Sequence, residues 1–394
     1  MSDLERDFSH WASIVEEVKK AGVYGYSAIS QKSSGTRIIL DGRELLLFAN
    51  NDYLGLMDHP AVIEKAIKAL KDFGSSTCSS QITLSTSIHQ QLESELASFV
   101  GAEDAVLYPS CYMCNIGTIT SITQKGDVII SDKNDHASII DGVRLSEARV
   151  RFFKHNDMSH LEKILGKCGG YGKRIVIVDG VYSMEGDLAP LPELCELCEK
   201  YDAILIVDDA HGAGVMGENG VGTAEWFGVN DRIDVKIGTL SKALVSIGGF
   251  TAGGKNLITC LRHSSRTCVF STVIPPSSAA ASLAALEIVR TQPERRKRLW
   301  ENVVYYRTGL GRLGYNTLGS VTAIVPVLLG SRDITLRIAI LLRERGIFTV
   351  PIVPPAIKDE QSRLRTNVMA THTKDEIDQA LEAFAIVGRE CGII

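Results

Sequence analysis

Apolar residues in this chain follow two rhythms. Short β-rich runs mark Ala105–Tyr108, Val128–Ser131, Arg174–Asp179, Ala203–Asp208, Val235–Gly238 and Gly249–Ala252 as strands. Between them apolar positions recur at helical spacing, over Ile116–Ile122, Ile139–Ser146, Met158–Leu165 and Leu191–Lys200. Strands alternating with helices predict an α/β fold: a mainly parallel central sheet, helices on both faces, and a ligand at the carboxyl ends of the strands. Residues 1–55 carry a helical arm (Phe8–Ala21) and a turn at Asp41-Gly42. From about residue 291 the pattern changes. A helix rich in Arg and Glu leads to a strand at Ala323–Leu329 and a helix at Asp333–Arg345. Then come Pro351, Pro354 and Pro355, and a last helix at Lys374–Gly388. The expected organisation is a large domain at 56–290 and a smaller α+β domain built from both chain ends, 291–394 with part of 1–55.

Composition narrows the function classes. The chain has 394 residues, 45% of them hydrophobic and 23% charged, which suits two or three structural units with substantial buried surface. A formal net charge of -5 without any Lys/Arg block argues against nucleic acid as a partner. The start, Met1-Ser2-Asp3-Leu4-Glu5-Arg6-Asp7, lacks the basic-then-apolar order of a secretory signal, and no apolar stretch is long enough to span a bilayer. The expectation is a soluble, cytoplasmic protein with no integral membrane association. Nine cysteines, an odd number without a compact disulfide framework, point to a reducing compartment. Cys111/Cys114 and Cys195/Cys198 have CxxC spacing, but each pair sits on a predicted helix and no further cluster supplies ligands. No metal site is expected. Cys195 and Cys198 read as small core-facing residues.

The candidate chemistry centres on Lys242, in Gly238-Thr239-Leu240-Ser241-Lys242-Ala243-Leu244, just beyond an apolar strand. The preceding strand ends in Val207-Asp208-Asp209-Ala210-His211. An amine, an acid and a histidine so placed suggest a Schiff-base lysine holding pyridoxal phosphate, which needs an amine tether and a carboxylate at its ring nitrogen. Either piece alone reads as an ordinary strand-end acid or core-edge lysine; the combination does not. One decoy lies alongside. Gly212-Ala213-Gly214-Val215-Met216-Gly217 matches the GxGxxG dinucleotide fingerprint, yet Glu218-Asn219-Gly220-Val221-Gly222 continues the glycine-rich turn where a helix has to begin.

Five motifs carry a resemblance. Asn51-Asp52-Tyr53-Leu54-Gly55-Leu56, Asp135-His136-Ala137-Ser138-Ile139-Ile140-Asp141-Gly142, Tyr182-Ser183-Met184-Glu185-Gly186-Asp187, Val207–Gly212 and Gly238–Leu244 resemble the α-oxoamine synthases. These are pyridoxal-phosphate enzymes of fold type I that condense an amino acid with an acyl thioester and lose CO2. The likeness runs over nearly the whole chain, with the motifs in the same order.

The resemblance implies roles that chemistry supports. Lys242 would hold the cofactor and then act as base at the α-carbon. Asp208 would pair with the pyridinium nitrogen, and His211 would bond the phenolic oxygen and steady the acyl carbonyl. His136 would stack on the ring, a role that only the resemblance gives it. The backbone amides of Cys111 and Tyr112, at the apparent start of a helix, suit a phosphate dianion, and Ser183 and Thr239 would add hydroxyls. Ser271 and Thr272 match a phosphate contact from the partner subunit, which implies a homodimer with shared active sites. Arg365 matches the arginine that binds the substrate carboxylate, helped by Asn51, while Arg363 would face the other way and be structural.

Substrates follow less directly. Pro109-Ser110-Cys111-Tyr112, Ile140–Leu145 and the chain's ending look most like glycine C-acetyltransferase, implying glycine and acetyl-CoA. Ile247-Gly248-Gly249-Phe250 and Pro351–Pro355 look nearer to serine palmitoyltransferase, and the 8-amino-7-oxononanoate synthases share the core motifs. A longer acyl-CoA or a carrier-bound acyl group is therefore the alternative. Two departures stand out. Val245 occupies a position where the family prefers a small residue, and Gly74–Gln81 lacks the arginine that usually precedes His89. Other classes fit less well. A non-catalytic subunit lacks the lysine, a nicotinamide oxidoreductase needs a helix at the glycine run, and a simple aminotransferase consumes no thioester.

Overall fold

The structure, a computed structural model, describes residues 3–20 and 28–394. The chain divides into two compact units, Asn51–Leu299 and the combination of Met1–Asn50 with Trp300–Ile394. The second division falls inside helix Pro293–Arg312.

The larger unit is built on a seven-stranded sheet. Its strands are β1 (Asp104–Tyr108), β2 (Val128–Asp132), β3 (Arg149–Phe153), β4 (Arg174–Asp179), β5 (Ile204–Asp208), β6 (Val235–Thr239) and β7 (Gly249–Gly253). Across the sheet the order is β1-β7-β6-β5-β4-β2-β3. From β6 to β3 all pairings are parallel, and β7 runs antiparallel to both its neighbours. Four helices cover the parallel part: α1 (Cys111–Ile122), α2 (Ala137–Leu145), α3 (Met158–Leu165) and α4 (Leu191–Lys200).

The strands are apolar throughout because both faces are covered. Val128, Ile130, Val176, Val178, Leu205 and Val207 pack with Leu161 and Leu165 of α3 and with Leu191, Leu194, Cys195 and Cys198 of α4. Their neighbours Ile129, Ile175, Ile177 and Ile206 turn to the other face, against Cys114 and Ile119 of α1 and Ile139 and Val143 of α2. This is the expected α/β architecture. The sequence reading misses β3, an edge strand where Arg149, Arg151 and Phe152 are exposed, so its apolar signal is diluted. It also misses helices Pro60–Phe73, Ser87–Val100 and Pro276–Thr291. The last is buried at Ala279, Ala280, Ala281, Ala284 and Ala285, almost all round, and so shows little amphipathic contrast.

The smaller unit holds two sheets. Strands Arg37–Leu40 and Arg43–Leu47 pair across the Asp41-Gly42 turn. A three-stranded antiparallel sheet places Arg363–Asn367 between Ile324–Leu328 and Val350–Ile352. Helices Arg332–Glu344 and Lys374–Glu390 follow the predicted positions, the latter opened by a capping box between Thr373 and Glu376. Arg363 is buried, with Nε donating to the Gln361 carbonyl at 2.8 Å. The N-terminal helix runs Asp3–Lys20; Ala21, the predicted end of the arm, lies outside the described residues. No described helix is long and apolar enough to cross a membrane.

Candidate active site

The carboxyl ends of three adjacent strands each finish in an aspartate: Asp132 on β2, Asp179 on β4 and Asp208 on β5. Asp179 and Asp208 are register partners, and all three carboxylates are buried. Burial raises the Asp179 carboxyl well above its ordinary value, with Asp208 and Asp135 pushing the same way.

Asp208 is fixed by neutral donors. Asn115 Nδ2 reaches Oδ2 at 2.6 Å, the Ala210 amide reaches Oδ1 at 3.0 Å, and the Cys111 thiol lies 3.7 and 3.8 Å from the two oxygens. Asn115 also donates to Ser138 Oγ at 2.8 Å. The pocket in front of Asp208 is lined by Cys111, Tyr112, His136, Ser138, Asp179, Ser183, Ala210, His211 and Lys242.

Each lining group is set by its element. Helix α1 begins at Cys111, capped by Ser110, whose hydroxyl accepts from the Met113 amide at 3.1 Å. The amides of Cys111 and Tyr112 have no intrahelical acceptor, as at the start of any helix, and so remain as donors for an anion. Gly249 on β7 makes this approach feasible: a Cβ there would lie 2.7 Å from Cys111 Cα and 2.8 Å from both Cys111 N and Cys114 Sγ. His136 is the N-cap of α2, its Nδ1 accepting from the Ser138 amide at 3.3 Å and its own amide bonded to Asp179 Oδ2 at 2.7 Å. Its ring stands edge-on to Tyr112 with centroids 6.3 Å apart. Burial lowers the imidazole pKa, opposed by Asp208. The Cys111 thiol is raised: its hydrogen bond with Cys114 lowers it, but burial and Asp208 outweigh that.

His211 faces the Tyr53 hydroxyl, 2.7 Å from Nδ1, and that hydroxyl donates to Asn51 Oδ1 at 3.3 Å. Lys242, half-buried, sits in the turn after β6, its carbonyl held by the Val245 amide at 3.0 Å. Val245 has φ 43°, a left-handed conformation that a β-branched residue rarely adopts.

The remaining predicted residues lie apart from the lining. Thr239 forms the base of the lysine turn, its hydroxyl donating to the Gly248 carbonyl at 3.2 Å and accepting from the Ser241 amide at 3.2 Å. Thr272 bridges to Ser80, and Ser271 Oγ lies 3.9 Å from Met113 Sδ. Asn51 reaches the site through Tyr53. Arg365 belongs to the smaller unit. Tyr53, Asn115, Ser138, Asp179 and Ala210 were not singled out from sequence. Asp179 alone repeats a visible signal, an acid closing an apolar strand as Asp208 does.

The GxGxxG decoy is a turn. No helix begins in Gly212–Gly222; the first to follow is the four-residue Thr223–Trp226. The run folds around Asp209, whose carboxylate accepts the Thr223 amide at 2.6 Å and is pushed by burial to a pKa of about 7. Cys195 and Cys198 are 1% and 3% exposed, members of the sheet–helix core.

An amine, a buried carboxylate, imidazoles and free helix amides around one pocket fit pyridoxal phosphate, which needs a tether, an anion for its ring nitrogen, a flat ring contact and donors for its phosphate. The comparisons with known proteins agree. The model of the aminotransferase class I and II family matches residues 43–384. An 8-amino-7-oxononanoate synthase of Thermoanaerobacter pseudethanolicus is 43% identical over 96% of this chain and 97% of its own length.

The chain is an α-oxoamine synthase of the aminotransferase class I and II family.

A serine palmitoyltransferase of Sphingobacterium spiritivorum is 39% identical to this synthase, over 99% of this chain and 98% of the relative. A solved structure of SPT with its PLP internal aldimine superposes with a TM-score of 0.96, at 31% identity and full coverage of both chains. The fold is therefore that of the type I pyridoxal-phosphate transferases, and pyridoxal phosphate is the cofactor of this synthase. Glycine C-acetyltransferase, the member favoured by the sequence motifs, is not singled out by these relatives.

Proposed function

We propose that this synthase condenses a small α-amino acid with an acyl thioester longer than acetyl, releasing CO2 and the thiol, with L-alanine or L-serine as the amino acid. The observation that carries this reading is the convergence of Lys242, Asp208, His136 and His211 on one pocket. The lean away from glycine and acetyl-CoA rests on likeness to relatives named 8-amino-7-oxononanoate synthase and serine palmitoyltransferase.

When bound, pyridoxal phosphate supplies an electron sink for charge developing at the amino acid's α-carbon. Lys242 would tether it, and its Nζ would be the base for the α-proton. Asp208, held by Asn115 and the Ala210 amide, would face the ring nitrogen. His136 would lie against the ring, and the Cys111 and Tyr112 amides, with Ser183 and Thr239, would hold the phosphate. His211, oriented by Tyr53, donates to oxygen and stabilises the charge that forms on the acyl carbonyl. By the family resemblance, Arg365 would bind the substrate carboxylate, with Asn51 as helper.

The active form is a homodimer in which Ser271 and Thr272 of one protomer complete the phosphate site of its partner. Support comes from the surface around that segment. Phe270 is 75% exposed, and the Ser80–Thr272 bridge brings Ile82 and Leu84, 50% and 56% exposed, into the same neighbourhood.

The test is thiol release from acetyl-, pimeloyl- and palmitoyl-CoA, each with glycine, L-alanine and L-serine. Pimeloyl-CoA with alanine or palmitoyl-CoA with serine is the expected productive pair. Release confined to acetyl-CoA and glycine overturns the long-chain reading. No release from any pair, with cofactor bound, directs the search to a carrier-bound acyl donor.

A further inference from the structure

His155 lies outside the residues that line the cofactor pocket, yet it stands between two carboxylates. Its Nδ1 is 3.1 Å from Asp132 Oδ1 and its Nε2 is 2.9 Å from Asp187 Oδ2. With an acceptor at each ring nitrogen, both nitrogens must donate, and that is the imidazolium. Asp132 is wholly buried at the end of β2, and Asp187 closes the loop that follows β4.

The next residue repeats the link. The Asn156 amide donates to Asp132 Oδ2 at 2.9 Å, and its side chain donates to Asp187 Oδ2 at 3.2 Å and to the Leu188 carbonyl at 3.1 Å. Asn156 holds φ at 51°, which turns both groups inward. The loop itself is closed by a bridge between Val181 and Leu188 and by the Tyr182 amide on the Asp187 carbonyl at 3.1 Å. Tyr182 presents its ring edge-on to His155, with centroids 4.4 Å apart. Between these anchors lies Ser183, a lining residue of the pocket.

We infer that His155 is a positioning residue, a cationic pin that ties the Tyr182–Asp187 loop to the end of β2 and so holds Ser183 at the cofactor pocket. It also sets a positive charge beside the buried Asp132 carboxylate. The inference rests on the pyridoxal-phosphate reading of the pocket for its consequence, but not for its geometry. Burial pulls the imidazole pKa down, and the hydrogen bonds to Asp132 and Asp187 outweigh it, raising the value to about 10. The pin is therefore charged throughout the neutral range.

The experiment compares the wild-type holoenzyme with His155→Ala and with Asp187→Ala, which removes only the partly exposed loop end of the pin. Amide hydrogen exchange over 182–187 is expected to rise about tenfold or more, the loss of a charged hydrogen bond. The pyridoxal phosphate dissociation constant, followed by visible absorbance, is expected to rise about tenfold with it. Exchange in β6 and β7 stays unchanged. A folded variant with unaltered loop exchange, or a loosened loop with unaltered cofactor affinity, overturns the inference. If both variants fail to fold, His155 is a folding element and the inference also fails. None of these readouts uses substrate, so they stand apart from the thiol-release test. A wild-type protein that binds no pyridoxal phosphate refutes the cofactor reading instead.

Discussion

The Tyr53 hydroxyl stands 2.7 Å from His211 Nδ1 while donating its proton to Asn51 Oδ1. That contact holds the imidazole ring in one orientation. Tyr53→Phe removes that constraint without changing side-chain shape. The expected result is a fall in kcat/KM of about tenfold, the value of one hydrogen bond near 1.4 kcal/mol, with thermal stability nearly unchanged. Steady-state kinetics with a melting curve decides it, and equal kcat/KM in the two proteins sinks it.

Asn115 is the nearest of the described donors to the Asp208 carboxylate, at 2.6 Å. Asn115→Ala leaves a buried carboxylate with one fewer partner and lets it rotate. Titration of the apoenzyme with pyridoxal phosphate should show a dissociation constant raised about tenfold, in line with a charge-assisted hydrogen bond. Unchanged affinity would show that the Ala210 amide and the Cys111 thiol suffice.

Val245 adopts a left-handed φ of 43° two residues past the Lys242-Ala243 pair. Such a conformation costs a β-branched residue about 1–3 kcal/mol, more than the entropy glycine adds to the unfolded chain. Val245→Gly is expected to stabilise the protein by about 1 kcal/mol in a denaturant melt. A lower midpoint would mean that valine's packing outweighs its strain.

His372 gives a pH dependence in the acid direction. Its ring is 2% exposed, stacked on Phe48 at 4.3 Å, and accepts the Met369 amide at 2.9 Å. Burial lowers its pKa from 6.5 to about 4. The folded state holds the neutral ring, so stability is intact above pH 6.5. Between 6.5 and 4 the unfolded chain takes up a proton that the folded chain refuses, a loss approaching ~3 kcal/mol. Urea melts from pH 7 to 4.5 should show this slope reduced in His372→Gln, which keeps an acceptor but does not titrate. Equal slopes refute the assignment.

Much of the larger unit was legible because its signals are local. Strand Arg174–Asp179 and helices Met158–Leu165 and Leu191–Lys200 match residue for residue, since an apolar run or an amphipathic turn carries its own boundary. Lys242, Asp208, His136 and His211 were legible for a related reason: each closes or follows such an element. Asn115 was not. Its partner lies 93 residues away at the end of β5, and only the packing of α1 on the sheet brings them together. His155 was hidden likewise, by an unrecognised edge strand and a loop whose anchor, Asp187, follows 32 residues later.

Asp208, at the end of β5, couples this enzyme's endurance to its vitamin supply. Asp208 lies out of water with only neutral donors around it, so a positive ring in the pocket would offset the cost of burying it. A ligand that binds only the native state stabilises it by RT ln(1 + [L]/Kd), about 2.7 kcal/mol at a hundredfold excess over Kd. A cell short of pyridoxal phosphate therefore loses molecules of this protein as well as turnovers, because the empty form unfolds sooner and meets proteases more often.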